Sequence, residues 1–528
     1  MDRYRVLRVP TGSVDELVGL IRELIVTDGM RTGSPRLMPL INTIEYIAEL
    51  NVRSVLVQEN VQDPDFLSEH EAFYSKWSYK VPRYCTRLHF FNTLPISENP
   101  LEVVDQMAGV EGSYLGFITL RPIRISPLAA TILSIPNNGN NHFILSKDEF
   151  RVNIAGQRFY VTGTPFMQQD NAVGACAQAS IWMALRTLRR REGHSAYSPA
   201  QITTAATKFL VRGRTLPNRD GLIIEQITEA LRASGYSPHM IPLRDIRSVA
   251  NEDDTAKTRE ALYPYIESGI PVLLILFPQN GEGHAVLLIG HGWDEKPSKL
   301  RLNVELKIGS SSGPINVYDA SSWVSPLYIH NDNTGPYIPI SDLSSTGSYA
   351  LADAVSAIPF LQPNVFVDAA EAKLTCHKVL QNCLEDLEVL LGGAENAEIT
   401  WNMPELVTRV YLQDKSDFRS SIMDTDMPDD VKAYYRLKWL PKRIWVMEIN
   451  LCDGYEANED RSTRVGEILL DPASEPEDGC FLTIHLGADL LPNSSGANGV
   501  VINRNAFDGE IDAFPVSGKR YSRLVRNS

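Results

Sequence analysis

No stretch of the chain stays apolar for the roughly 18 residues that a membrane-spanning helix needs. The opening MDRYRVLRVPTGS has no apolar signal core either. A bilayer-spanning or signal-exported protein is therefore not expected, and cytoplasmic residence is. Cysteine is scarce, with six in 528 residues, at 85, 176, 376, 383, 452 and 480 and never as a CxxC pair. That excludes a disulfide scaffold and a zinc-finger spacing, and it favours a reducing compartment. Positive charge is in deficit: 50 Lys and Arg face 65 Asp and Glu, for a net charge of −15 and a pI near 5.2. General binding to nucleic acid or to an anionic membrane is not expected of such a balance. Internal repeats and low-complexity segments are also lacking.

What is present is ample material for a core, since 43% of the residues are apolar. The length exceeds one ordinary domain and suggests two to four. The most informative stretch is 165–191, PFMQQDNAVGACAQASIWMALRTLRRR. A polar, glycine-containing run is followed by Ile181, Ala184, Leu185 and Leu188 at helical spacing, with Ala179, Trp182 and Met183 on the adjacent face. The spacing predicts a largely buried helix, closed by Arg186, Arg189, Arg190 and Arg191 and then Gly193, which suit the negative end of its dipole. Cys176 falls in the first turn, where unpaired backbone N–H groups and the positive dipole end favour a thiolate.

Downstream, the apolar run 270–277 predicts a buried strand. A second strand begins at His284 (HAVLLIG), and a third candidate, Ile315–Tyr318, ends at Asp319. A cysteine, a histidine and an aspartate, in that order, thus each stand at the edge of an element. These are the parts of a thiol nucleophile, a base and a group that orients the imidazole.

Taken together, the glutamine-bearing loop before a helix-borne cysteine, the "PV…HAV…G" strand pair and the acidic residue after a Val-Tyr strand end resemble a papain-like cysteine peptidase. The nearest type is the bacteriocin-processing leader peptidases, and the likeness covers roughly residues 163–345. The resemblance implies Cys176 as nucleophile, His284 as general base, Asp319 as the orienting carboxylate and Gln169 as oxyanion donor, with Gln168 second. The family commonly places that glutamine six residues before the cysteine, where this chain has Asp170. It implies hydrolysis of a peptide or isopeptide amide through a thioester, on a protein or peptide substrate, with neither cofactor nor metal. Transglutaminases and glutamine deamidases share this order of residues, and a catalytically silent binding module could keep the fold.

The expected architecture is α+β: an accessory region at 1–150, a papain-like core at 151–345 and a second accessory region at 346–528. The flanks are expected to select substrate, bind a protein partner or gate the cleft. In the first, Ser13 and Glu16 predict a capping box, and helices are expected within 37–50 and 65–77 and strands at 54–58, 84–91 and 114–121; a hairpin at 151–161 is expected to open the core and lead into the cysteine loop. His70 is expected at the solvated surface, and His89 and His142 as structural residues. In the core, helices are expected at 198–211 and 221–235, and 243–259 reads as a surface loop or short helix. His291 rivals His284 but should point the other way along the strand. Asp294 and Asp332 compete with Asp319, and the turn-rich segment around His330 reads as a loop packed on the active face. In the tail, 369–391 is helical in pattern with Cys376 and Cys383 as filler, and 443–451, 466–470 and 481–486 read as strands.

Overall fold

The computed structural model describes residues 3–24, 37–76, 80–123, 125–135, 142–169, 176–209, 221–245, 252–278, 282–307, 314–343, 349–391, 404–455, 462–474, 479–491, 498–505 and 509–523. The protein is α+β, built on three larger sheets and a hairpin. Among the described residues no helix is long and apolar enough to cross a membrane.

The first sheet has five antiparallel strands in sequence order: Arg3–Arg8, Ser54–Val61, Cys85–Phe91, Tyr114–Leu120 and Leu128–Leu133. Its first and last strands, and the helix Pro100–Ala108, were not apparent in the sequence. Arg3–Arg8 pairs with residues 54–59, and local pattern says little about so distant a partner. At the helix Val14–Leu24 half of the expected box forms. Ser13 accepts from the Glu16 N–H at 3.3 Å, whereas the Glu16 carboxylate accepts from the Thr11 N–H at 3.1 Å. The hairpin Asp148–Ile154/Gln157–Gly163 turns through Ala155 and Gly156, both at positive φ. It lays Val152, Ile154, Phe159 and Val161 against Leu56, Phe91 and Phe117 of the first sheet. The hairpin therefore belongs with the N-terminal region and not with the core.

The second sheet carries His284. Its path runs Ile241–Pro242, Ala354–Leu361, Val272–Leu276, His284–Trp293, Val324–Asn331 and Gly335–Ile340, and His142–Ile144 also pairs with the His284 strand. At that crossing a Cβ on Gly290 would stand 2.2 Å from the Phe143 carbonyl oxygen, so only glycine allows the two backbones to approach. This sheet takes one strand from before residue 151 and one from after 345. The segment expected as a loop around His330 is a strand pair, Val324–Asn331 with Gly335–Ile340. Helices Pro199–Ala206, Ile224–Ala233 and Glu252–Glu267 complete the region. The last includes residues read from sequence as a loop or short helix.

The third sheet has eight strands in the order Leu302–Leu306, Ile315–Asp319, Leu406–Asp414, Arg443–Leu451, Arg464–Leu470, Phe481–Gly487, Gly499–Arg504 and Ile511–Pro515. Ile315–Asp319 joins it by parallel pairing with Leu406–Asp414. The boundary expected at 345/346 is thus crossed in both directions, because hydrogen-bond pairing gives 302–306 and 315–319 to the C-terminal sheet and 354–361 to the central one. Helix Ala369–Leu391 lies against its central strands, with Cys376, Leu380, Cys383 and Leu384 buried. Helices Lys415–Met423 and Asp429–Leu437 place Phe418, Ile422, Val431 and Tyr435 in a separate cluster with Tyr411, Val446 and Leu469.

Candidate functional site

Helix Cys176–Arg191 begins at the cysteine and buries Ala177 through Leu185. Such burial on all sides needs partners for its polar side chains. The Gln178 amide donates to the Pro199 carbonyl at 2.6 Å, and the Ser180 hydroxyl donates to the Ala285 carbonyl at 3.2 Å. The second bond sets the helix against the His284 strand one residue past the histidine. There the Ala285 N–H reaches the Cys176 sulfur at 3.4 Å, and the sulfur is close enough to the His284 imidazole to raise its pKa. Cys176 is half-buried, whereas Cys85, Cys376, Cys383 and Cys480 are buried.

His284 is 4% exposed. Its Nε2 lies 2.8 Å from Asn331 Oδ1 and 3.6 Å from Asp332 Oδ1, which leaves the other ring nitrogen for the thiol. Asn331 Oδ1 also accepts from the Asn333 N–H at 3.0 Å. The oxygen is thereby fixed as an acceptor, and Nε2 must carry a proton toward it. Tyr349 stacks on the imidazole at 4.7 Å between ring centroids and covers it. Burial by itself favours the neutral ring. The Asp332 carboxylate, the Cys176 sulfur and Asn331 outweigh it and raise His284 to about 9. Burial pushes the Asp332 carboxyl up to about 6, against the pull of His284.

Asp319 does not face His284. Its carboxylate is held by Lys373, by the Asn303 amide at 2.9 Å and by the Ser321 N–H at 2.8 Å. Burial would raise its pKa, but Lys373 and these donors depress it. The correction follows from the topology, because the Ile315–Asp319 strand leaves the His284 sheet for the C-terminal one. Asn331 and Asp332 arrive instead from the strand hydrogen-bonded to the His284 strand, where Leu287 pairs with His330. The third partner of a histidine on a strand comes most directly from the end of the neighbouring strand. The aromatic and β-branched run 324–331 was the signal for it. Nothing local in the sequence marked Tyr349.

Gln168 is buried and its side-chain oxygen accepts from the Leu128 N–H at 3.4 Å, which turns it into the first sheet. Gln169 follows, half-buried, while Asp170 and residues 171–175 lie outside the described residues. The segment before Gln169 is pinned by Arg121, buried against Glu69 at 3.3 Å, whose guanidinium donates to the carbonyls of Ser126 at 2.6 Å and Gln168 at 2.8 Å. The N-terminal region thereby holds the backbone at Gln168. Arg121→Lys would keep the charge beside Glu69 but lose the planar fork. The expected loss is about 2 kcal/mol of stability, read from a lowered urea midpoint at unchanged slope.

The remaining histidines stand apart. His291 places Nε2 3.1 Å from Glu267 and Nδ1 2.8 Å from the Gly292 carbonyl. His330 is buried and driven down to about 3 by desolvation. His89 lies between Tyr114 and Gln58, and His142 bonds to Tyr328. His70 is buried, with Nε2 2.9 Å from the Val81 carbonyl, and not solvated as its polar neighbours suggested. The face of its helix that carries Asp65 and Glu69 is paired across to Arg186 and Arg121, so charges that read as surface are interior. Asp294 accepts from the Lys296 N–H in a turn.

No protein-family model matches the chain, and no curated protein matches it in sequence. What the site can do must therefore be argued from its groups. A half-buried thiol at a helix start, an imidazole with its far nitrogen held, and a buried carboxylate supply a nucleophile, an acid–base group and a balancing charge.

Proposed function

We propose that the protein is a cysteine hydrolase of amide bonds in peptides or proteins, with a papain-like core working in a reducing compartment such as the cytoplasm. The observation that carries this reading is the Cys176 sulfur held by the Ala285 N–H at 3.4 Å, next to an imidazole whose Nε2 is 2.8 Å from Asn331 and whose pKa the sulfur helps to raise. The Cys176 thiolate attacks the carbonyl carbon, forming a C–S bond and a tetrahedral oxyanion. The Cys176 backbone N–H and the Gln169 side-chain amide are the candidate donors to that oxyanion. The proton on His284 passes to the amide nitrogen, the C–N bond breaks and the amine leaves. His284 then takes a proton from water, the hydroxide attacks the thioester, and the acid departs with the thiol restored. Asn331 holds the ring orientation and Asp332 balances its charge. The role expected of Asp319 is thus divided between two residues.

The test compares wild type with Cys176→Ala on a proteome-derived peptide library read by mass spectrometry. New C-termini made by wild type alone support the proposal. Ammonia release, or amine incorporation without cleavage, would move the reaction to deamidation or transamidation at the same thioester. Absence of all three, with Cys176 no more reactive toward iodoacetamide than half-buried Cys452, would leave a binding module. Asn331→Ala is expected to lower turnover by about tenfold with little change in KM, since it loosens the ring without removing the acid–base group.

A further inference from the structure

The residues beside Cys176 and His284 also bear on what the site acts upon. Tyr349, which stacks on His284, donates its hydroxyl to the Glu282 carbonyl at 3.3 Å. Glu282 precedes His284 by two residues, the spacing that puts side chains on one face of an extended chain. The residue between them is Gly283, where a Cβ would meet the Phe277 ring at 2.4 Å. Residue 283 therefore puts no side chain between Glu282 and the imidazole.

Negative charge gathers here. Burial, and after it the Cys176 sulfur and the carboxylates of Glu282, Asp332 and Asp353, hold the Tyr349 hydroxyl above its ordinary pKa. Two of these carboxylates are engaged within the fold. Asp332 is buried 3.6 Å from His284, and Asp353 is buried and accepts from the Ala350 N–H at 2.8 Å. Glu282 differs, since it is exposed and has no ion pair among the described residues. An exposed carboxylate beside a nucleophile, on a chain of net charge −15, attracts a cation and repels an anion.

We infer that the site selects substrates with a lysine or arginine side chain next to the scissile amide, and that Glu282 receives its charge. The inference rests on the hydrolase reading and adds a substrate class to it. Tyr349 is half-buried and offers a surface for the apolar stem of such a side chain, whose charged head stays in water beside the carboxylate.

Two measurements on the full chain test this. Peptides that differ only in Lys, Gln or Glu beside the cut should show kcat/KM falling in that order, by about fivefold per step, the upper scale of one exposed charge contact. The ratio of Lys to Glu rates should collapse in Glu282→Gln and invert in Glu282→Lys. The second measurement needs no turnover. Cys176 is labelled with a cationic (trimethylammonioethyl) and an anionic (sulfonatoethyl) methanethiosulfonate, and the ratio of the two rates should fall about tenfold in Glu282→Gln. Added salt should shrink that difference, because exposed charges are screened. Ratios unchanged in both variants, with Cys176 reactive and peptides cleaved, would overturn the inference and leave the hydrolase reading in place. Cys176 inert to both reagents would remove the two together. A lysine preference that survives in Glu282→Lys would overturn the role of Glu282.

Discussion

Replacing His284 by alanine is expected to slow carboxamidomethylation of Cys176 at pH 7 by about 30-fold. Alkylation needs the thiolate, and an unassisted cysteine is only a few per cent thiolate at neutral pH. In the wild type the imidazole retains its proton to about 9, raised against burial by the Asp332 carboxylate and then by the Cys176 sulfur, so a thiolate at Cys176 would have a cation nearby. The sign is as follows. A histidine raised above its ordinary 6.5 contributes to stability fully below 6.5, and that contribution is lost as the pH rises through about 9. Asp332 is raised from 3.8 to about 6, so its negative charge, which supports the imidazolium, disappears on acidification through about 6. Hydrolysis should therefore follow a bell, rising near pH 6 and falling near pH 9. Asp332→Asn should move the alkaline limb to lower pH, because the fixed charge that raises His284 is gone. Peptide mass mapping across pH measures both effects, with Cys452 as internal reference. An identical Cys176 rate in wild type and His284→Ala would falsify the pair.

Arg464→Met is expected to destabilise the protein by about 3–5 kcal/mol, the usual result of removing one partner from a buried ion pair. Arg464 is fully buried in the third sheet between Glu448 at 2.8 Å and Glu467 at 3.1 Å. The chain of charges continues from Glu448 to Arg409 at 2.9 Å, from Arg409 to Glu267 at 3.5 Å, and from Glu267 to His291 on the His284 strand. Without Arg464, Glu467 keeps His485 at 3.2 Å and the Tyr435 and Tyr521 hydroxyls, but no permanent cation. Burial would raise Glu467, yet Arg464 and then His485 hold it at about 2. A carboxylate depressed from 4.5 contributes stability that is present above 4.5 and lost as pH falls through about 2. Urea midpoints from pH 7 down to pH 3 should show wild type losing stability on acidification and Arg464→Met losing much less. A variant within 1 kcal/mol of wild type at pH 7 would mean that the pair is no stronger than an exposed one.

The legibility of the site divides along chain distance. Cys176 and His284 were apparent because each announces itself locally, one at the start of an amphipathic run and the other at the head of an apolar strand. The mistaken partner, Asp319, had the same local form at the end of a Val-Tyr strand. Strand ends look alike in sequence whichever sheet they enter, and parallel pairing of 317–319 with 406–408 removed this one from the site. Asn331 and Asp332 were hidden because 324–340 reads as turn-rich, with Pro326, Pro336 and Pro339. Those prolines are tolerated in the strand pair that the chain forms there. His70 failed for a related reason, since a polar helix face can be interior when Arg121 and Arg186 arrive from elsewhere to neutralise it.

By itself the sequence determined what periodicity and short-range chemistry can carry: an α+β chain, the cysteine helix, the histidine strand, most of the helices and about half of the strands. Tertiary structure alone decided which strands share a sheet, where the sheets divide the chain, and which carboxylate and amide meet His284. It also decided that Arg121 of the N-terminal region would hold the backbone at Gln168. The physical reason is that element formation depends on neighbours within a few residues. Sheet membership and buried charge pairing depend on groups tens to hundreds of residues apart, such as Glu69 with Arg121 and Glu267 with Arg409, and these are matched only when the core closes.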